Sequence, residues 1–178
     1  MNISSYKKSS SEEISQLFSS VFTDSEGPKE GLLIGNLVLD LINRTDDQDI
    51  YGFVAYDDEK IMGSIFFTRL IFESAVTAFI LSPVAIDTGY QGQGVGQKMI
   101  NFGITYLKEK GVSLLFTYGD PRFYSKVGFG CIDEETARAP MPLTQPEGWL
   151  CQSLFGHEIK PIAGSSRCVD ALNKPEYW

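Results

Sequence analysis

An apolar run that gives way to a glycine-rich turn and then to a helix leaves a chain few options, and this sequence contains one such passage. Phe79-Ile80-Leu81-Ser82-Pro83-Val84-Ala85-Ile86 precedes Gln91-Gly92-Gln93-Gly94-Val95-Gly96, and a helical pattern continues to about Lys110. Strand, turn and helix in that order aim several unpaired backbone N–H groups, and the positive end of a helix dipole, at one point. That point favours an anion. Glycines at alternate positions remove the Cβ atoms that would hold a phosphate away from the backbone, and they permit the positive φ that such a nest needs. Spacing then separates the known phosphate patterns. The triphosphate loop G-x-x-x-x-G-K-[ST] occurs nowhere in the chain. The dinucleotide fingerprint G-x-G-x-x-G would begin at Gly92 and Gly94 but meets Gln97 where its third glycine belongs.

The rest of the chain sets the frame for this turn. At 178 residues, with Pro and Gly scattered rather than gathered into a linker, the length suits one domain spanning 1–178. Its 43% hydrophobic and 21% charged content is ordinary for a globular chain and speaks against disorder. The longest apolar runs, around Gly31 to Leu41 and Ala75 to Ile86, are too short or too interrupted to span a bilayer, so no membrane association is expected. Met1 to Lys8 lacks the apolar stretch of a signal peptide, and a cytoplasmic location is expected. Cys131, Cys151 and Cys168 have no metal-ligand spacing, so packing is their expected role and no metal is expected. A net charge of −8 disfavours nucleic acid and mildly favours cationic partners.

Read in order, the chain opens with Ser10-Ser11-Glu12-Glu13, a capping-box pattern ahead of Ile14, Leu17, Phe18, Val21 and Phe22 at helical spacing. An acidic loop, Thr23 to Gly27, should separate this helix from a second one begun by Pro28 and ending near Asn43. Three strands follow with tight antiparallel connections: Tyr51 to Tyr56, Ile61 to Phe72 and Ala75 to Ile86. Pro83 cannot donate to a ladder, so the third strand must bulge or lose a partner there. After the crossover helix, which Gly111 ends, Val112 to Tyr118 reads as a strand parallel to the third. Asp120 caps a short helix that starts at Pro121, carries Tyr124 and ends at Gly128-Phe129, and Trp149 to Phe155 reads as a further strand. Trp149 and Trp178 could line a pocket, but aromatic residues are first of all packing residues.

Gln91, Gly94 and Gly96 satisfy the pattern [QR]-x-x-G-x-[GA], and Tyr124 with Gly128-Phe129 supplies a second signature in the right order. On these two matches the chain resembles the GCN5-related N-acetyltransferase (GNAT) family over roughly residues 10 to 131, and its Gly119-Asp120-Pro121 turn resembles a branch of small predicted acetyltransferases within it. The resemblance implies an α/β (α+β) fold: a mixed, mostly antiparallel central sheet with splayed central strands and helices on both faces, completed by an irregular 132–178. It implies acetyl-CoA as cosubstrate, with Gln91, Gly92, Gln93, Gly94, Val95, Gly96 and Gln97 on its pyrophosphate. It further implies Val84, Ala85 and Ile86 on the pantetheine arm, and a backbone N–H near Ile86 as oxyanion donor. Tyr124 is then the general acid for the departing thiolate. The implied acceptor is a primary amine, on a small molecule or a protein, and homodimers are common in the family.

In many members an Asn stands seven positions before the Tyr, where this chain has Thr117. Asp24, Glu26 and Glu30 fall where the family's acceptor pocket is bordered. Asp87, Glu73 and Ser82 lie on or beside the third strand as candidate bases, and His157 is the lone histidine of a late segment. No residue stands out as the base, which keeps a second reading open: a non-catalytic acetyl-CoA-binding sensor or interaction module. Hydride transfer with a bound dinucleotide is a third.

Overall fold

The computed structural model describes all 178 residues. Four helices and eight strands follow the chain as β1 (Asn2–Ser5), α1 (Ser11–Glu26), α2 (Pro28–Arg44), β2 (Ile50–Asp57), β3 (Lys60–Phe72) and β4 (Ala78–Ile86). Then come α3 (Val95–Glu109), β5 (Leu114–Tyr118), α4 (Pro121–Tyr124), β6 (Gly130–Cys131), β7 (Trp149–Ser153) and β8 (Ser166–Arg167). The strands are hydrogen-bonded in the order β1-β2-β3-β4-β5-β7-β6, and β8 pairs with β3. Strands β4 and β5 are parallel, as a helical crossover between them requires. A doubly wound parallel sheet, which dinucleotide chemistry would call for, is not what this chain builds.

Two compact units make up the chain, one from 1–67 with 83–103 and the other from 68–82 with 104–178. In the first, neighbouring residues of β3 serve opposite faces, because side chains alternate along a strand. Phe66 packs against Phe18 of α1 at 6.0 Å between ring centres, and Phe67 lies over Gly103 of α3. Helices α1 and α2 lie close enough for the Ser15 and Ser19 hydroxyls to donate to the Gly35 and Gly31 carbonyls, each at 2.9 Å. In the second unit, Phe72, Phe116, Trp149 and Trp178 form a chain of rings with successive centres 5.5, 5.1 and 6.1 Å apart. Both indole N–H groups are satisfied by backbone carbonyls, of Ala137 at 2.8 Å and Leu172 at 2.9 Å. Both tryptophans are therefore core residues, and Trp178 ties down a C-terminal stretch without a periodic pattern of its own.

Three sequence expectations are corrected, and one strand appears that the sequence did not announce. Asn2–Ser5 is an edge strand, antiparallel to β2 with Ile3 opposite Ala55; four mostly exposed residues bear no periodic signal that could announce it. Ser10 precedes α1 but makes no side-chain cap bond, because it ends a 3₁₀ turn with φ −99° and ψ 13° rather than standing in the extended region a cap needs. The acidic loop does not exist. Helix α1 runs on to Glu26, and Gly27 alone, at φ 98°, turns the chain into α2, so Asp24 and Glu26 are helical. The third strand begins at Ala78 rather than Ala75.

Candidate functional site

The glycine-rich turn is where the sequence placed it. Lys98 N–H donates to the Gly94 carbonyl at 3.1 Å, so Gly94 is the cap of α3. The amides of Val95, Gly96 and Gln97 are then the first-turn donors that a helix cannot satisfy from within. Gly92 and Gly94 take φ of 73° and 78°, and no protein atom lies within 4 Å of where a Cβ would stand on either. Open space over two left-handed glycines, beside first-turn amides that have no partner within the helix, is a cradle for an anion.

The two glutamines have a different role from the amides. Gln91 Nε2 donates to the Ile86 carbonyl at 2.9 Å, and Gln93 Nε2 donates to the Gly89 carbonyl at 3.1 Å. Their side chains brace the turn against the end of β4. A second brace was not read from the sequence. The Asp87 carboxylate accepts from Gly89 N–H at 2.9 Å and pairs with Lys60 Nζ at 3.0 Å, while the Tyr90 hydroxyl donates to Asp57 at 3.0 Å. An Asp two residues ahead of a Gly is a turn signal that could have been recognised. Lys60 beside Asp87 holds its carboxyl below the usual range, and Asp87 raises the Lys60 ammonium in turn. Asp87 is thereby weakened as a base. Thr88 donates to Asp24 at 2.9 Å along a groove of about 350 Å³ that Glu13, Asp24, Lys60 and Asp87 help to line. Glu26 and Glu30 are not among its lining residues.

Strand β4 outruns its parallel partner. The β4–β5 register covers Ala78↔Leu114 through Leu81↔Thr117, whereas β4 continues through Pro83 to Ile86. The Asp87 amide, donating to Met62 at 2.8 Å, shows that the end of β4 stays with β3. Val84 and Ile86 are half-buried and Ala85 is buried.

In the second unit, Asp120 caps α4 as the sequence suggests: its carboxylate accepts from Arg122 N–H at 2.9 Å and pairs with the Arg122 guanidinium at 2.9 Å. Tyr124 follows, half-buried, edge-on to Phe123 and Phe129 with ring centres 5.0 and 5.7 Å away. Its ring lies so close to Gly119 that a Cβ there would stand 2.7 Å from Cε2. Desolvation by burial pushes the phenol pKa up from its ordinary value, and the Thr117 side chain acts in the opposite sense. Thr117, fully buried, also donates to the Leu81 carbonyl at 2.9 Å. His157 is exposed, and no group of three or more His, Cys, Asp or Glu side chains is gathered where it could hold a metal ion.

A family model described as an acetyltransferase (GNAT) domain matches residues 48–130, a span containing both the glycine turn and Tyr124. The chain is 30% identical over 141 residues to YjhQ of Escherichia coli K12, described as an uncharacterized N-acetyltransferase, covering 76% of this chain and 77% of that one. The chain belongs to the GNAT family of N-acetyltransferases. Escherichia coli YhbS, also described as an N-acetyltransferase, is 32% identical over 96 residues, 53% of this GNAT chain and 58% of YhbS. The fold agrees with the crystal structure of YhbS in complex with CoA at a TM-score of 0.77 and 21% identity, covering 97% of this chain and 92% of that one. A GNAT acetyltransferase from Brucella melitensis in complex with acetyl-CoA superposes with a TM-score of 0.72 at 21% identity, covering 96% and 97% of the two chains. The mixed, mostly antiparallel GNAT sheet anticipated from two short signatures is thus the fold observed.

Proposed function

We propose that residues 1–178 act as one N-acetyltransferase domain that moves the acetyl group of acetyl-CoA to a primary amine by direct attack, in the cytoplasm. The observation that carries the reading is the cradle at the start of α3, where two open left-handed glycines precede first-turn amides that the helix cannot satisfy from within. The solved GNAT relatives bound to CoA or acetyl-CoA support the choice of ligand. Backbone groups of Gly92, Gly94, Val95, Gly96 and Gln97 receive the pyrophosphate, with Gln91 and Gln93 keeping the turn in shape. Backbone groups of Val84, Ala85 and Ile86, beyond the last β4–β5 register pair, bond the pantetheine arm, and an amide near Ile86 steadies the oxyanion.

Chemically, the amine nitrogen attacks the thioester carbonyl and the C–S bond breaks. The thiolate takes the Tyr124 proton, and the proton lost by nitrogen passes to water. A phenol whose burial raises its pKa remains protonated at neutral pH, ready for that transfer. The acceptor is a primary amine of a small molecule or a protein. Thiol release from acetyl-CoA over a panel of amines and amine-bearing peptides tests the proposal. Turnover that falls in Tyr124→Phe, with acetyl-CoA affinity nearly intact, supports it. CoA binding without turnover on any amine assigns the chain to the non-catalytic sensor class, and failure to bind CoA removes the reading altogether.

A further inference from the structure

We infer that Lys60 is a positioning residue for acetyl-CoA: its ammonium, held between the Asp87 carboxylate and the Tyr90 ring, fixes the turn that leads into the glycine cradle and so prepares the cradle for the pyrophosphate. The inference rests on the CoA site proposed above and adds to it a residue that acts through the turn rather than on the ligand.

The need for such a residue follows from how little else holds the turn. Gly92 and Gly94 have no protein atom within 4 Å of a would-be Cβ, so packing does not fix them, and glycine loses more freedom on ordering than any other residue. Their conformation must be imposed from the flanks. On one side α3 does this, through the Lys98 N–H on the Gly94 carbonyl at 3.1 Å. On the other side stands the 3₁₀ turn Thr88–Tyr90, which buries no residue. Polar contacts secure it instead. Two close the turn on itself: Asp87 accepts from Gly89 N–H at 2.9 Å through its carboxylate and from Tyr90 N–H at 2.8 Å through its carbonyl. The others reach neighbouring elements. Thr88 donates to Asp24 of α1 at 2.9 Å, and the Tyr90 hydroxyl donates to Asp57 at 3.0 Å. Lys60 Nζ lies 3.0 Å from Asp87 Oδ2 and 5.2 Å from the centre of the Tyr90 ring, so a single ammonium grips both ends of the turn.

The β2–β3 hairpin is shaped for this. Asp57 ends β2 and Lys60 opens β3, and between them Asp58, at φ 51°, is the one non-glycine residue with positive φ. That tight tip brings Asp57 and Lys60 to the same turn. A cradle ordered before the ligand arrives spares the ligand the cost of ordering it, which raises affinity without any new contact.

A cation beside the turn could instead help by its charge alone, and the two readings differ in sign at Asp87. CoA is an anion, so removing a carboxylate near its site tightens binding if charge alone matters, whereas loss of the brace weakens it. Isothermal titration of the whole protein with CoA decides. Lys60→Met, which keeps the stem and loses the charge, should raise Kd about fivefold, the upper end for a pair whose side chains are 61% and 25% exposed. Asp87→Ala, which also loses the Gly89 bond, should raise Kd about tenfold, and adding Lys60→Met should then have no further effect. Lys60→Arg can still face both Asp87 and the ring, and should restore the wild-type affinity. In thiol-release assays Lys60→Met should raise KM for acetyl-CoA by the same factor and leave kcat unchanged. A merely structural loss would lower the folded fraction, and kcat with it, but not change KM. In the ligand-free protein, exchange of the Gly89 and Tyr90 amides followed by NMR should be faster in Lys60→Met. Unchanged CoA affinity in Lys60→Met, tighter binding in Asp87→Ala, or an arginine variant as weak as the methionine one overturns the proposal. Wild-type protein that fails to bind CoA refutes the site itself, a result seen before any variant is made, whereas wild-type binding with an unaffected methionine variant refutes only the role of Lys60.

Discussion

Replacing Gly94 by alanine separates backbone strain from ligand occlusion. At φ 78° an L-residue sits in the left-handed region, which costs about 1 to 2 kcal/mol. No atom lies within 4 Å of the new methyl group, so packing adds nothing to that cost. For a chain of this size the melting temperature should fall by about 2 to 8 °C. The same methyl group, however, projects into the space where the pyrophosphate is proposed to sit, and any relaxation of φ would turn the amides of Val95 and Gly96 away. CoA affinity should fall at least tenfold, roughly 1.4 kcal/mol or more. Gly111 provides a matched control, since it has φ 75° and equally open surroundings but ends α3 instead of preceding it. Gly111→Ala should cost the same few degrees and leave CoA binding untouched. Differential scanning calorimetry and isothermal titration with CoA measure both quantities on both variants. If Gly94→Ala and Gly111→Ala bind CoA equally well, the anion does not sit over the α3 turn.

Gly119→Ala should place a methyl group 2.7 Å from Tyr124 Cε2 and displace the ring, lowering turnover by about a hundredfold, the scale expected for a misplacement near 1 Å, while CoA titration is unaffected. Gly35→Leu should prevent cooperative folding as followed by circular dichroism, since even a Cβ would meet Ser19 Oγ at the α1–α2 contact. Ser15→Ala, which loses only one hydrogen bond there, should cost about 1 kcal/mol in urea denaturation. Burial pushes the Cys151 thiol up to about 12 and the Cys168 thiol up to about 11. A maleimide at pH 8 should therefore label exposed Cys131 in the folded protein, and the other two only after unfolding, as read by mass spectrometry. The same raised values mean that the folded state holds these protons more tightly than the unfolded chain. Their stabilisation is complete below the ordinary thiol range and is lost as pH rises towards 11 and 12, a decline that Cys151→Ala should reduce in denaturation series above pH 9.

Local patterns were legible wherever one physical signal dominated. The helical spacing of Ile14, Leu17, Phe18 and Val21 located α1, Pro28 opened α2, and Asp120 with Pro121 opened α4. Gly92 and Gly94 announced a turn that only residues free of a Cβ can make, and it is there with both at positive φ. The signal failed where geometry rather than residue type decides. Ser10 has the chemistry of a cap but not the dihedral angles, because the preceding 3₁₀ turn had already claimed it. The acidic residues before Gly27 read as a loop because they are polar, although a polar turn of helix looks the same in sequence.

What the chain determined alone, then, was the order of its elements and the chemistry at the start of α3, since periodicity, caps and glycine tolerance act between residues close in sequence. Pairings between distant residues belonged to the tertiary structure. Thr117 and Leu81 are 36 residues apart, and Lys60 and Asp87 are brought together by separate strands. No pattern in the sequence encodes a register, and it is the β4–β5 register, ending at Leu81 and Thr117, that lets the buried Thr117 hydroxyl donate to the Leu81 carbonyl.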